Sequence, residues 1–183
     1  RNTKVGVKMT IKIGVLTVSD RASRGEYEDK GGPAAEAWLC SVITSPVEII
    51  RQIVPDGRQS VANALRAMAD EQGIELILAT GGTGPSPQDQ TPEALADVMD
   101  KELSGFGELM RQVSLAEVPT AILSRQAAGI RGKCLIITLP GKPSAIATCM
   151  NAVFPAVPYC LDLIGAGRIE TDPTVLKAFR PAK

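Results

Sequence analysis

Four apolar runs punctuate this chain, at 11–18, 47–54, 74–80 and 134–139, with segments of helical apolar spacing between them. The run Ile74-Glu75-Leu76-Ile77-Leu78-Ala79-Thr80 is apolar at nearly every position, as a strand covered on both faces must be. Strand and helix in alternation dictate a parallel or mostly parallel sheet with helices on both faces. The expected fold is α/β: a three-layer α/β/α sandwich with a mostly parallel central sheet. At 183 residues the chain suits one domain and can bury a core without metal or disulfide staples.

Helices are expected at 34–43 behind Pro33, at 59–72 closed by Gly73, and at 91–103, where Thr91 is an N-cap and Pro92 sits at N1. Further helices are expected at 108–117, 145–154 and 157–164, and a weak strand at 121–123. No repeat or linker divides the chain. The domain is therefore placed at 11–164, with residues 1–10 an N-terminal arm or expression remnant. Residues 165–183 show no period and are expected as a tail, a surface arm or partly disordered.

Composition narrows the function. Lys plus Arg (20) cancel Asp plus Glu (20), and one Trp, two Tyr and three Phe supply few stacking platforms. That argues against nucleic acid as a partner. Histidine is absent, which removes His-dependent triads, Cys-His dyads and His-containing metal sites. Proton chemistry falls to carboxylates, Lys, Cys, Tyr or a bound metal. Cys40, Cys134, Cys149 and Cys160 show no CxxC spacing and read as buried free thiols of a reducing compartment. With no uninterrupted apolar run of 18 residues and no signal-peptide pattern, the expected location is cytoplasmic, without membrane.

In open α/β sheets ligands bind beyond the carboxyl ends of the strands. Four such ends carry polar or glycine-rich loops: around Ser19-Asp20-Arg21, Pro55-Asp56-Gly57, Gly81-Gly82-Thr83-Gly84-Pro85, and Pro140-Gly141-Lys142-Pro143-Ser144. Parallel strands would gather them on one rim. Gly81–Gly84 is neither GxGxxG nor a Walker A loop, and by itself reads equally as a plain turn. Gly141-Lys142 before Pro143 reads also as a turn opening a helix. Asp56 can be a turn residue, Asp89 a solvated loop acid, and Asp20 with Arg21 an exposed ion pair.

Taken in order, these stretches resemble one family. Val15-Leu16-Thr17-Val18-Ser19-Asp20-Arg21 and Asp29-Lys30-Gly31-Gly32-Pro33 are similar to its opening. Thr80-Gly81-Gly82-Thr83-Gly84-Pro85 with Asp89-Gln90-Thr91-Pro92-Glu93 is similar to its central signature. Pro119-Thr120-Ala121-Ile122-Leu123-Ser124-Arg125 and Leu139-Pro140-Gly141-Lys142-Pro143 complete the likeness. The family is molybdopterin adenylyltransferase of the Mog type, in molybdenum-cofactor biosynthesis, and the resemblance covers about residues 11–164.

The resemblance implies a homotrimer that uses Mg2+ to move AMP from ATP onto the terminal phosphate of molybdopterin. Pyrophosphate leaves, and the product passes to a molybdenum insertase. It implies catalytic roles for Asp56 and Asp89. Nucleotide or pterin contacts are implied for Ser19, Asp20, Gly81, Gly82, Thr83, Gly84 and Pro85, and for Pro140, Gly141, Lys142 and Ser144. Asp89 and Asp20 are expected to hold the metal. Many relatives carry Arg before the Asp89 position, where this chain has Gln88, so the missing charge is sought in Lys142 or Arg111. Attack by an already ionised phosphate needs no histidine base, which suits this composition. A non-catalytic pterin-binding or scaffold relative of the same fold, and a nucleotide hydrolase or amidase, are the rival readings.

Overall fold

A computed structural model describes residues 10–183; the expected arm at 1–10 otherwise lies outside the described residues. The four apolar runs are strands: β1 (Ile11–Val18), β2 (Val47–Val54), β3 (Leu76–Thr80) and β6 (Cys134–Leu139). Two short strands not foreseen, β4 (Lys101–Glu102) and β5 (Ala128–Arg131), join them. The six-stranded sheet has the order β2-β1-β3-β6-β5-β4. The first four strands are mutually parallel, while β5 and β4 pair antiparallel. The sheet is therefore mixed, with its parallel part in the majority.

Strand alternation divides the core in two. Ile11, Ile13, Val15, Leu76, Leu78, Leu135, Ile137 and Leu139 face α2 (Gly31–Val42), α5 (Ser104–Leu115), α6 (Pro143–Val153) and α7 (Val157–Leu163). Leu16, Val18, Ile77, Ala79 and Ile136 face α3 (Arg58–Arg66) and α4 (Thr91–Val98). The short helix α1 (Asp20–Ser23) follows β1 directly, capped by the Ser19 hydroxyl, which accepts from the Ala22 amide at 3.2 Å.

Several boundaries differ from the sequence reading. The helix α4 stops at Val98, not 103, because Asp100 and Leu103 donate their amides to the Ile130 and Ala128 carbonyls of β5. The helix α5 starts at Ser104, four residues early, and passes through Gly105 and Gly107. A side chain at Gly107 would lie 2.6 Å from the Gln126 carbonyl, so this glycine marks a close approach rather than a break. Residues 121–123, expected as a weak strand, instead lie in a 3-10 turn, Pro119–Leu123, opened by proline.

The stretch 165–183, expected as a surface arm or partly disordered tail, instead packs on the domain, bonding to Glu75, to Val42 and Thr44 at the C-terminal end of α2, and to Pro155. Ile169 and Leu176 are buried in that core. Ile43 bridges Thr171, and the Arg180 guanidinium donates to Asp162 at 2.6 Å and to the Ile169 carbonyl at 3.0 Å. Isolated apolar residues without a period gave no helix or strand signal, yet two of them are buried here.

Residues Pro143–Leu163 would be long and apolar enough, by length and composition, to cross a bilayer. Here Pro155 lies in the 3-10 turn Phe154–Ala156 that interrupts them. Ile146, Met150, Val153, Phe154, Val157 and Leu161 fill the core. It is a core helix.

Candidate active site

Because β2, β1, β3 and β6 run parallel, their carboxyl ends share one edge, and the four loops singled out above emerge there. The Gly81 amide donates to the Leu139 carbonyl at 3.0 Å and the Ser19 amide to Val54 at 3.0 Å, binding neighbouring strand ends together. Gly81 has φ +102, and a Cβ there would lie 2.3 Å from the Val18 carbonyl oxygen. Gly82 has φ +68, and a Cβ there would lie 2.3 Å from the Thr91 hydroxyl. Both positions require glycine. The expected N-cap Thr91 does not cap α4; its hydroxyl donates to the Gly81 carbonyl at 2.8 Å, and Gln90 precedes the helix instead.

Three carboxylates surround this turn. The Asp20 amide donates to Asp56 Oδ2 and the Asp56 amide to Asp20 Oδ1, both at 3.0 Å, so each acid caps the other's backbone. Asp56 Oδ1 lies 3.3 Å from the Cβ position of Gly82, and Asp89 Oδ2 lies 2.7 Å from that of Gly84. Asp89 Oδ2 also accepts from the Ser86 amide at 3.1 Å. Burial pushes the Asp56 carboxyl above its ordinary range, and the charges of Asp20 and Asp89 add to this against the pull of the two amides. One oxygen of each acid is thus engaged in fixing its loop. Among the described residues nothing donates a hydrogen bond to Asp20 Oδ2, Asp56 Oδ1 or Asp89 Oδ1.

Beside the acids opens a cleft of about 360 Å3. Of the residues singled out in the sequence, Ser19, Gly81, Gly141 and Lys142 line it, while Asp20, Asp56, Asp89, Gly82, Gly84 and Pro140 do not; Thr17, Tyr27, Asp29, Lys30 and Thr80, which the sequence reading did not assign, line it too. Asp29 closes the floor: it accepts from the Thr17 hydroxyl at 2.9 Å and from the Gly32 amide at 3.0 Å, in the first turn of α2. The Thr80 hydroxyl donates to the Pro140 carbonyl at 2.8 Å, which sets the loop that carries Lys142. The Asp29-Lys30-Gly31-Gly32-Pro33 stretch was the available signal for this wall.

Thr83 is buried, Pro85 sits on the exposed loop, and neither lines the cleft. Ser144 is exposed in the first turn of α6, where its carbonyl accepts from Thr148, and does not line the cleft either. Arg111 donates to the Gln126 carbonyl at 2.8 Å and borders another groove, away from the cleft that Lys142 lines. Among the described residues, Lys142 and Lys30 are the cations lining the cleft.

Among the described residues no three Asp, Glu or Cys side chains form a ready-made metal cage. Magnesium is commonly held by one or two carboxylates together with substrate phosphates. The unengaged oxygens of Asp20, Asp56 and Asp89 suit that mode of binding, and the donor set is all oxygen.

An acid-flanked glycine turn beside a two-lysine cleft, at the carboxyl edge of a mixed α/β sheet, defines a class. The chain belongs to the molybdopterin-binding family: the model described as "Probable molybdopterin binding domain" matches residues 14–159. Within it, the chain is 53% identical to the molybdopterin adenylyltransferase of Helicobacter pylori, over 94% of this chain and 98% of that one. The Escherichia coli molybdopterin adenylyltransferase is 46% identical, with 94% of each chain covered. The solved structure of the molybdopterin biosynthesis enzyme MoaB from Thermus thermophilus superposes with a TM-score of 0.79 at 41% identity, covering 87% of this chain and 99% of that one.

Proposed function

We infer that this chain is a molybdopterin adenylyltransferase of molybdenum-cofactor biosynthesis, of the Mog type, with ATP and molybdopterin as substrates. The observation that carries the reading is the gathering of Asp20, Asp56 and Asp89 around the Gly81–Gly84 turn, beside a cleft bearing Lys30 and Lys142. The Helicobacter pylori and Escherichia coli relatives carry that activity in name over nearly their whole length.

In the reaction a terminal phosphate oxygen of molybdopterin attacks the α-phosphorus of ATP. A new P–O–P bond forms, the bond from the α-phosphorus to its bridging oxygen breaks, and pyrophosphate departs with the electron pair. The nucleophile is ionised near neutral pH, so the chain's lack of histidine is no obstacle. What the protein must supply is in-line placement and relief of repulsion between two polyanions. Bound Mg2+ would screen the phosphates' charge. Asp20 and Asp89 offer it their free oxygens, and Asp56 orients the phosphate-bearing arm of the pterin. The Gly81 amide is held by the Leu139 carbonyl, so the amides of Gly82, Thr83 and Gly84, with the Lys142 ammonium, donate to phosphate oxygens.

Assembly as a homotrimer, transfer of the product to a molybdenum insertase and a cytoplasmic location belong to the same reading. The exposed apolar residues Leu115, Val118, Ile122 and Leu123, close together in sequence, supply surface for such an assembly. Sedimentation at micromolar concentration tests it, and a monomer counts against it.

The deciding assay is pyrophosphate release from ATP. Release that requires molybdopterin, ATP and Mg2+ together supports the transferase. Pterin binding without release favours a carrier or scaffold, and ATP hydrolysis without pterin favours a hydrolase.

A further inference from the structure

The loop that carries Asp89 is held from outside by a side chain of another segment. Arg125 follows the 3-10 turn Pro119–Leu123, and its own amide donates to the Thr83 carbonyl at 2.7 Å. Its guanidinium then reaches both feet of the loop tip. Nε donates to the Gly84 carbonyl at 3.0 Å, and Nη2 to the Asp89 carbonyl at 2.8 Å. The remaining branch, Nη1, pairs with Glu93 in the first turn of α4. Arg125 thereby holds the Glu93 carboxyl below its usual range. The other oxygen of Glu93 is buried with no partner, so the pair with Arg125 is the anchor this carboxylate has among the described residues.

We propose that Arg125, with Glu93 behind it, is a positioning residue of the transfer reaction: it fixes the distance between Gly84 and Asp89 and so the aim of the Asp89 carboxylate. The inference rests on the adenylyltransferase reading of the site. Gly84 and Asp89 stand five positions apart, with Pro85 and Pro87 between them. Inside the loop two hydrogen bonds join Ser86 and Asp89, and a third runs from the Gln90 side chain to the Pro87 carbonyl. None of these reaches Gly84. A planar fork with fixed N–H directions can meet three acceptors at once, whereas a lysine ammonium keeps the charge but not the geometry. Arg125 touches backbone carbonyls and Glu93, so its effect on chemistry passes through Asp89.

Two measurements test this on the full chain. The first is amide hydrogen exchange at 83–90 in Arg125→Gln and Arg125→Lys. Both should exchange faster there while the sheet core stays protected. The second is steady-state kinetics with a double-mutant cycle against Asp89→Asn. Arg125→Gln should lower kcat by about a hundredfold, the scale of an ångström-sized misplacement, with the KM for molybdopterin changed by less than about threefold. Arg125→Lys should fail to restore activity. In the Asp89→Asn background Arg125→Gln should add little, because the two act as one unit. Full rescue by lysine, additive losses, or unchanged exchange at 83–90 would each overturn the proposal. If the wild-type chain releases no pyrophosphate, the reading of the site fails instead, and the exchange measurement still decides whether Arg125 holds the loop. Should Arg125→Gln not fold, Glu93→Gln leaves the guanidinium in place, weakens its anchor and carries the same readouts in milder form.

Discussion

Asp20 and Asp56 hold each other by reciprocal bonds: each carboxylate accepts the other's backbone amide at 3.0 Å, across 36 residues of sequence. The pair ties the end of β1 to the end of β2 and brings two negative charges together at the edge of the proposed site. The arrangement carries a conflict, since the hydrogen bonds favour the ionised acids while burial and mutual repulsion oppose them.

Asp56→Asn relieves that conflict. An amide oxygen can still accept from the Asp20 amide, while the charge is gone. Thermal unfolding should show stability at pH 7 unchanged or raised by up to about 1 kcal/mol, the scale of a single partly exposed charge interaction. Adenylyl transfer should fall by at least about tenfold, a loss of some 1.4 kcal/mol in transition-state stabilisation. A variant that is both less stable and fully active would refute both halves.

The same carboxyl sets a pH dependence. Its folded value is raised, so the folded protein binds this proton more tightly than the unfolded chain does. Asp56 therefore costs stability above its folded value. The cost lifts as pH falls through that value and is gone below the ordinary carboxylate range. Activity that needs Asp56 ionised should decline on the acid side above the ordinary carboxylate range, and the Asp56→Asn variant should lose this limb. A pH profile of kcat/KM for both proteins checks it.

Asp89→Asn keeps an acceptor for the Ser86 amide, so loop and fold should persist. Turnover should fall by about a hundredfold or more, as for other groups that stabilise transition-state charge, with pterin binding little changed. Near-normal pyrophosphate release by this variant would remove Asp89 from the chemistry.

Gly81→Ala tests the backbone beneath the site. Its Cβ would meet the Val18 carbonyl oxygen at 2.3 Å, a backbone atom that cannot step aside, at a φ of +102. We expect a loss of about 2 kcal/mol or more in denaturant unfolding. Gly105→Ala, with nothing within 4 Å of its Cβ, should be tolerated and serves as the control.

Thiol labelling reads the core. Burial raises the Cys134 thiol to about 12 and also raises Cys149 and Cys160, but Cys40, read from sequence as buried with the others, is exposed on α2. The native protein should therefore label at Cys40 first and more slowly at half-buried Cys160, with Cys134 and Cys149 reacting only as it unfolds. For the seated tail, Ile169→Ala should cost about 2–5 kcal/mol, as for a fully buried aliphatic truncation; a loss under about 0.5 kcal/mol would mean the segment is not part of the core.

The sequence by itself determined the layered α/β fold. Runs such as 74–80 are apolar on both faces and can rest only inside a sheet covered twice, and glycine and proline mark where the strands end. It also determined that any ligand loops would share an edge, because parallel strands finish on the same side. Only the tertiary structure decided which acids meet. The Asp20–Asp56 pair, the Arg125 clamp on the loop of Asp89, and Asp29 on the cleft floor join residues 36, 36 and 12 positions apart. Strands β4 and β5, and the seat of 165–183, were likewise invisible in the sequence. Periodicity reports what a segment buries against its own neighbours in the chain, whereas a short edge strand, a guanidinium fork or a lone buried isoleucine takes its energy from partners that folding alone brings near.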